Sequence, residues 1–298
     1  MAASPPVSTR RWSMRPAALA LAALALLAAG CREVPAPGDA AAVRIEGTVW
    51  QPDAQTTHPQ GIWERAGAHT LLVQWTALGE SSFVEGCGGS PATSPLPDWR
   101  RIAREPWAQD VILGLAGQGD EAVARRDVAA LVQRSRCLAT LATPLHVTGW
   151  YFPVEVDASW QGATQLPALL ADLPRPLWIS VYDRANVGPE ALAVWLDGWL
   201  PKDVGVFFQD GVGVHARSAP VAREYLRVLQ QHLGARRVRL IAEAFRPAVG
   251  GGFRSATLDE LVPQLAAYGG QPVYLFDGPH YVDNTLVEGL RDRLVPRE

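Results

Sequence analysis

Val204-Gly205-Val206-Phe207-Phe208-Gln209-Asp210 is a short apolar run that ends in a carboxylate, and this pattern indicates the class of fold. Four other apolar runs also end at or shortly before an acid. Together the five acids are Glu155, Asp183, Asp210, Glu243 and Asp277. Short, continuous apolar runs of this kind are typical of buried parallel strands. A parallel barrel brings the carboxyl ends of its strands to one rim, so we expect these acids to converge there.

Strand and helix patterns alternate along the rest of the chain. The strands are predicted at residues 43–50, 69–75, 110–115, 146–152, 177–182, 204–209, 238–242 and 272–276. Eight such units over residues 43–298 suit a single closed barrel in length and order. No glycine-rich phosphate loop follows the first strand, which disfavours a Rossmann-type sheet. We therefore predict an α/β fold, a single-domain (β/α)₈ TIM barrel.

The first 30 residues carry the pattern of a targeting segment. Arg10, Arg11 and Arg15 precede a run of mostly Ala and Leu that is short for a membrane span. The run ends in Leu-Leu-Ala-Ala-Gly-Cys at residues 26–31, which resembles the lipobox of bacterial lipoproteins. An ordinary secretory signal with an incidental cysteine is the alternative.

The lipoprotein interpretation divides the N-terminal part of the chain in two. Residues 1–30 would be a signal peptide, and residues 31–42 would be a flexible tether, since small residues and prolines cannot bury a core. Acyl chains on Cys31 would anchor the protein to a membrane. Arg32 replaces the Asp that usually retains such proteins in the inner membrane. The resemblance thus implies a periplasmic protein on the outer membrane of a Gram-negative bacterium.

Charge and cysteine content restrict the class of protein. The formal net charge is −3 and no basic cluster is present, so nucleic acid is not an expected partner. Cys87 and Cys137 are the two cysteines that remain after Cys31. They could pair in an oxidising compartment, but sequence gives no distance between them, and the pairing stays open.

Several segments at the predicted strand ends carry a family resemblance. They are Val73-Gln74-Trp75-Thr76, Gly149-Trp150-Tyr151 with Glu155 and Asp157, Gln209-Asp210-Gly211-Val212-Gly213, and Ala242-Glu243. Together they resemble the bacterial TIM-barrel family catalogued as domain of unknown function four-four-three-four, which is similar to glycoside hydrolases. The resemblance spans most of residues 43–285. It implies a glycosidase-like barrel with carbohydrate as its partner, and no assigned reaction.

Two of the acids are the candidate catalytic pair. Glycoside hydrolysis commonly needs two carboxyl groups that flank one bond. We choose Glu155 after strand four and Glu243 at strand seven, with Asp210 as the rival or assisting acid because it closes strand six directly. Many retaining barrel glycosidases place the acid/base at strand four and the nucleophile at strand seven. They usually carry Asn-Glu at strand four, where this chain has Val154-Glu155.

A second group of residues is predicted to bind the sugar. Aromatic rings pack against the apolar faces of sugars, and polar neighbours fix their orientation. The predicted substrate-binding residues are Trp75, Trp150, Tyr151, Trp160, Asp183, Gln209, Arg246, Asp277 and Tyr281. For Asp183 and Asp277 the alternative is a purely structural role at the turn after the strand.

Other kinds of catalysis find less support in the sequence. His215 and His280 lie near acids, but no known zinc-ligand spacing appears, so we predict no metal and no cofactor. A metal-dependent hydrolase stays the third hypothesis. The leading prediction is a lipid-anchored, periplasmic glycoside hydrolase-like protein that acts on a polysaccharide or cell-envelope glycan. The alternative is a non-catalytic glycan-binding barrel that assists exopolysaccharide handling.

Overall fold

The computed structural model describes residues 43–294. Eight parallel strands close into a barrel. They are β1 Arg44–Trp50, β2 Thr70–Val73, β3 Asp110–Gly114, β4 Val147–Val156, β5 Leu177–Val181, β6 Val204–Gln209, β7 Val238–Glu243 and β8 Pro272–Phe276. Each strand pairs with its neighbours in chain order, and β8 pairs with β1. The predicted (β/α)₈ TIM barrel is confirmed. The predicted signal peptide, Cys31 and the tether lie outside the described residues.

Helices surround the barrel. They are α1 Trp99–Ile102, α2 Glu121–Arg126, α3 Val128–Leu138, α4 Leu166–Leu170, α5 Pro189–Asp197, α6 Ala219–Leu233, α7 Leu258–Ala267, α8 Gly278–Tyr281 and α9 Asn284–Leu294. The sequence predicts helices over residues 219–233 and 284–294, and these are the bounds of α6 and α9. Helix α7 begins with a capping box, in which Thr257 and Glu260 satisfy each other's backbone N–H groups. No helix within residues 43–294 is long and apolar enough to cross a bilayer.

The inside of the barrel is a packed layer. Each of the eight strands contributes one side chain to it, namely Val49, Leu72, Ile112, Tyr151, Trp178, Phe207, Ile241 and Tyr274. A larger apolar core lies between the strands and the helices. Burying a side chain of this size stabilises the fold by about 1.5–3 kcal/mol. The filled interior leaves the carboxyl end of the barrel as the place for a ligand.

Strand β4 differs from its prediction in a way that concerns the site. The sequence predicts its end at Phe152 and places Glu155 beyond it, whereas the strand continues to Val156. The register against β5 shifts between Phe152 and Glu155, so Glu155 pairs with Ser180. Pro153 lies in this irregular stretch. Its lack of an N–H group therefore removes no hydrogen bond between β4 and β5. The prediction that Glu155 lies past the strand is therefore wrong.

Residues 79–97 are rich in Gly, Ser and Pro, a composition that predicts a loop, yet this segment contains ordered strand pairing. Ser81–Ser82 and Ser90–Pro91 join Ala77–Leu78 and Ala116–Gly117 in a small four-stranded sheet. A disulfide connects Cys87 of this loop to Cys137 of α3, with an S–S distance of 2.04 Å. The pairing that the sequence leaves open is thus present.

Candidate active site

A pocket of about 570 Å³ opens at the carboxyl end of the barrel. This is a usual size for a ligand site, and it lies where TIM-barrel enzymes bind their substrates. The residues that line it are Gln51, Gln74, Glu155, Tyr182, Arg184, Gln209, Val214, Glu243, Phe245, Phe253, Phe276 and Tyr281. They come from the exits of seven of the eight strands, so residues distant in the chain meet around one opening.

Glu155 enters the pocket from β4. Its Oε1 accepts a hydrogen bond of 2.6 Å from the Nε2 of Gln209, and the same amide donates to Ser180 Oγ at 2.8 Å. Burial raises the pKa of Glu155, while the hydrogen bond from Gln209 lowers it in part. The amide therefore orients this carboxyl group and favours its ionised form.

Glu243 enters the pocket from β7, with 4% of the residue exposed. Its Oε2 accepts a hydrogen bond of 3.1 Å from the backbone N–H of Val214. Burial, and after it the charge of nearby Asp210, raises the pKa of Glu243 to about 8. A carboxyl group with such a pKa is mostly protonated at neutral pH and can donate a proton.

Asp210 is fully buried and does not line the pocket. Its Oδ1 accepts from the backbone N–H groups of Val212 and Glu243, at 3.1 and 3.2 Å. Its Oδ2 accepts from Gln264 Nε2 at 2.6 Å and from the hydroxyl of Tyr268 at 2.5 Å. Burial raises the pKa of Asp210, but the four donors favour its ionised form. We therefore place the negative charge on Asp210 and the proton on Glu243.

The structure does not bring Asp210 to the pocket lining with Glu155 and Glu243, which disfavours the predicted catalytic role of this acid. Asp210 is not exposed, and its two carboxylate oxygens are occupied by four donors. It accepts from the backbone N–H of Glu243 at the end of β7, and its charge raises the pKa of the Glu243 carboxyl.

The aromatic residues predicted to bind substrate are dispersed. Only Tyr281 of this group lines the pocket, and of the predicted polar residues Gln209 does so. Tyr151 lies in the packed barrel interior and is not exposed. Trp150, its neighbour on β4, points to the other side of the strand and lines a cavity outside the barrel.

The remaining two tryptophans also lie outside the pocket lining. Trp160 is buried under the guanidinium of Arg125, at 5.4 Å from the ring centroid. Trp75 is half-buried and donates its indole N–H to Pro52 O at 2.9 Å. The structure therefore does not bring Trp75, Trp150, Tyr151 and Trp160 to the lining of this pocket.

Three predicted polar contacts have structural partners instead. Asp183 accepts from the backbone N–H groups of Val187 and Gly188 and from the Tyr225 hydroxyl. Asp277 accepts from the backbone N–H of Gln51 and from His280 Nδ1, both at 2.9 Å. Arg246 donates to the carbonyls of Glu243 and Phe245 and to Gln264. All three are buried outside the pocket lining, which supports the structural alternative for both acids.

Several pocket residues are missing from the sequence-based set. They are Gln51, Gln74, Tyr182, Arg184, Val214, Phe245, Phe253 and Phe276. Gln51 and Gln74 directly follow β1 and β2, so the rule that strand exits form the rim could have found them. Phe253 belongs to a hairpin that no sequence pattern indicates.

The two histidines near the acids have different surroundings. His280 lies between Asp277 and Asp53, with an N–O distance of 2.9 Å to each. His215 is exposed. Across residues 43–294 no group of three or more His, Cys, Asp and Glu side chains is arranged to hold a metal ion.

Comparisons with known proteins add little to this geometry. No family model matches the sequence, and no curated protein matches it. The glycoside hydrolase domain of PgaB (BpsB) from Bordetella bronchiseptica is a similar solved structure, with 11% sequence identity and a TM-score of 0.47. The match covers 85% of this chain and 100% of that domain. A TM-score below 0.5 is too low to support an argument about function.

Proposed function

We propose that the chain hydrolyses O-glycosidic bonds in a glycan, with Glu155 and Glu243 as the two carboxyl groups. One observation carries the proposal. Carboxyl groups from β4 and β7 line one open pocket, and the pKa of Glu243 is raised to about 8. Glycoside hydrolysis uses one carboxyl group that is protonated and one that is ionised, on either side of the scissile bond.

The electrostatics suggest a role for each acid. Glu243 donates its proton to the leaving oxygen as the bond from that oxygen to the anomeric carbon breaks. Gln209 donates to Glu155 and so opposes the rise in its pKa that burial causes. Ionised Glu155 either attacks the anomeric carbon, to form a glycosyl-enzyme that water then hydrolyses, or takes a proton from an attacking water. These roles are the reverse of the strand-four acid/base and strand-seven nucleophile of many retaining barrel glycosidases. The reversal follows from the raised pKa of Glu243.

Paired substitutions test the proposal. Glu155→Gln and Glu243→Gln keep the size of each side chain and remove its acid/base chemistry. Each is expected to lower the rate of glycan cleavage about 100-fold or more, as is usual for the loss of a general acid or base. The assay is the release of reducing ends from a panel of bacterial and plant polysaccharides. Glu80→Gln, at an exposed glutamate of the same molecule, is the matched control. Cleavage by either pocket variant at the wild-type rate would reject the proposal.

A non-catalytic glycan-binding barrel is the second candidate. The observation in its favour is the low exposure of Glu243, at 4%, because little of this carboxyl group faces the pocket. The same panel separates the two functions. Saturable binding of a glycan by the wild type, without any product, would favour the binding barrel and exclude the hydrolase for that glycan.

Family membership and cellular location are also proposals. The rim motifs that resemble domain of unknown function four-four-three-four agree with a glycosidase-like pocket, and we propose that the chain is a divergent relative of that family. We further propose that acyl chains on Cys31 anchor the protein to the outer membrane, facing the periplasm. Labelling with a radioactive fatty acid tests the anchor. Incorporation into wild type but not Cys31→Ser supports it, and equal incorporation would reject it.

A further inference from the structure

A hairpin forms one wall of the pocket. Its strands, Phe245–Pro247 and Phe253–Ser255, are antiparallel and begin two residues after Glu243. Arg246 fixes the base of the hairpin through hydrogen bonds to Glu243 O and Gln264. Arg254 fixes the returning strand, since its two terminal nitrogens bond to Glu260 of α7 at 2.8 and 2.7 Å. The hairpin therefore presents its side chains in a defined position next to the proposed proton donor.

The hairpin carries an aromatic cluster that faces the opening. Phe245 is buried, and its ring centroid lies 4.6 Å from that of Phe253 and 5.2 Å from that of Tyr281. Phe276 lies at 6.0 Å from Phe245. All four rings line the pocket, and Phe253 is 50% exposed. Phe253 is thus an open ring at the pocket mouth, supported from behind by Phe245.

The charges of the pocket limit the kind of ring that fits against this cluster. Among the residues of 43–294 that line the pocket, Arg184 is the one cationic residue, and it already pairs with Glu121 at 2.7 Å. In this described part of the chain, no unpaired cation therefore lines the pocket to face a phosphorylated or carboxylated sugar. Gln51, Gln74 and Gln209 supply amides that can hydrogen-bond hydroxyl groups. The pocket suits an uncharged, hydroxylated ring with an apolar C–H face.

We propose that Phe253 is the platform of a second sugar subsite, next to the position of the scissile bond. A sugar ring would stack its C–H face on the phenyl ring of Phe253. Its hydroxyl groups would remain in water or bond to the amides of the pocket. The substrate class is then an uncharged oligosaccharide of two or more rings, with one ring on Phe253 and the next at the carboxyl pair. This inference rests on the proposed function, because the subsite is defined relative to the scissile glycosidic bond that Glu155 and Glu243 flank.

Binding as a function of oligosaccharide length tests the platform. The probes are glucose and N-acetylglucosamine, and their β-1,4- and β-1,3-linked oligomers of two to six rings, titrated calorimetrically into the Glu243→Gln protein to prevent cleavage. We expect affinity to rise from one ring to two. In the Phe253→Ala background this rise should fall about 3- to 10-fold, whereas Phe253→Trp should preserve it. Val249→Ala, at the fully exposed tip of the same hairpin, should leave it unchanged.

The outcomes separate this inference from the proposed function. An unchanged length dependence in Phe253→Ala, or an equal loss in Val249→Ala, would overturn the platform even where wild type cleaves the probes. A length dependence that needs Phe253, with no cleavage by wild type, would support the platform and count against the hydrolase. Absence of binding to every probe would overturn the platform. Thermal unfolding of each variant confirms that it is folded, as expected for a half-exposed side chain.

Discussion

Asp210 and Glu243 are neighbouring buried acids whose environments differ. Asp210 has four hydrogen-bond donors, two of them side chains, whereas the hydrogen bonds of Glu243 come from the backbone. The acid with more hydrogen-bond donors keeps the charge, and this charge raises the pKa of the other acid. The sequence places both acids at strand ends, and the burial that distinguishes them becomes visible only in the folded molecule.

The pKa of Glu243 makes stability depend on pH. The folded chain raises this pKa from 4.5 to about 8, so the folded state binds the proton more tightly than the unfolded chain does. The corresponding stabilisation is complete below about pH 4.5 and is lost as the pH rises through about 8. The glutamine of the variant Glu243→Gln does not titrate, so the variant does not lose this stabilisation. Between about pH 4.5 and 8, its free energy of unfolding should therefore rise relative to that of wild type by on the order of a few kcal/mol.

Urea denaturation of both proteins at a series of pH values measures this difference. Glu80→Gln serves as the control for removing an exposed glutamate, and its curve should run parallel to that of wild type. Parallel curves for Glu243→Gln and wild type would contradict the assigned protonation state.

The sequence predicts correctly which residues line the pocket where their position depends only on the end of a strand. Glu155, Gln209, Glu243 and Tyr281 were predicted at the site, and all line the pocket. Trp150 and Tyr151 were misplaced because adjacent strand residues point to opposite faces, so only one of two neighbours can face the barrel interior. The interior face of β4 also lies below the rim, where Tyr151 fills the barrel rather than the pocket.

At the scale of elements, His280 joins two segments of the rim. It lies in α8, and its two ring nitrogens contact Asp277 after β8 and Asp53 in the loop after β1. Asp53 in turn accepts from the backbone N–H groups of Gln55 and Thr56, at 2.8 Å each. The segments carry Tyr281 and Gln51, which both line the pocket. His280 therefore fixes the relative position of two pocket walls.

The charge of His280 sustains this contact. Hydrogen bonding to Asp277 raises its pKa from 6.5 to about 9, so the imidazolium donates to both carboxylates at neutral pH. Because the pKa of His280 is higher in the folded chain than in the unfolded chain, protonation of this residue stabilises the fold. This stabilisation is complete below about pH 6.5 and is lost as the pH rises through about 9. The free energy of unfolding of His280→Ala should therefore change less with pH over this range than that of wild type.

Hydrogen exchange locates the effect of His280→Ala in the chain. The backbone amides of Gln51, Gln55 and Thr56 should exchange faster in the variant, because their carboxylate acceptors lose their common partner. His146→Ala removes an exposed histidine that contacts Asp110, and it should leave these amides unchanged. Unaltered protection in His280→Ala would show that the loop is held without this contact.

Elements with a strong period are predictable, and those set by tertiary contacts are not. Helix α6 has the same bounds in the sequence pattern and in the structure, because its apolar face repeats at helical spacing. The pocket hairpin escaped prediction. Its strands have three residues each, and Gly250, Gly251 and Gly252 at its turn all adopt positive φ. Three glycines in sequence indicate a turn without indicating what it joins.

For the whole molecule, the disulfide between Cys87 and Cys137 ties a rim loop to the outer helical layer. The two cysteines are 50 residues apart. Closing a loop of this length in the unfolded chain corresponds to about 4 kcal/mol in the chain-entropy description. The double variant Cys87→Ser/Cys137→Ser should therefore unfold at a clearly lower temperature than wild type.

Calorimetry of the oxidised protein, the reduced protein and the double variant measures this effect. Reduced wild type and the double variant should unfold at similar temperatures, below that of the oxidised protein. Equal temperatures for all three would mean that the bridge adds nothing to the stability of the barrel.

For the whole molecule, we propose that closure of the barrel brings Glu155 and Glu243 to either side of one glycosidic bond. Hydrolysis of a glycan in ¹⁸O-labelled water, followed by mass spectrometry of the new reducing end, tests it most directly. Wild type is expected to place one ¹⁸O atom at the released anomeric carbon, and Glu155→Gln and Glu243→Gln to release little labelled product. Release of equal labelled product by either variant, or none by wild type from any glycan that it binds, would contradict the account.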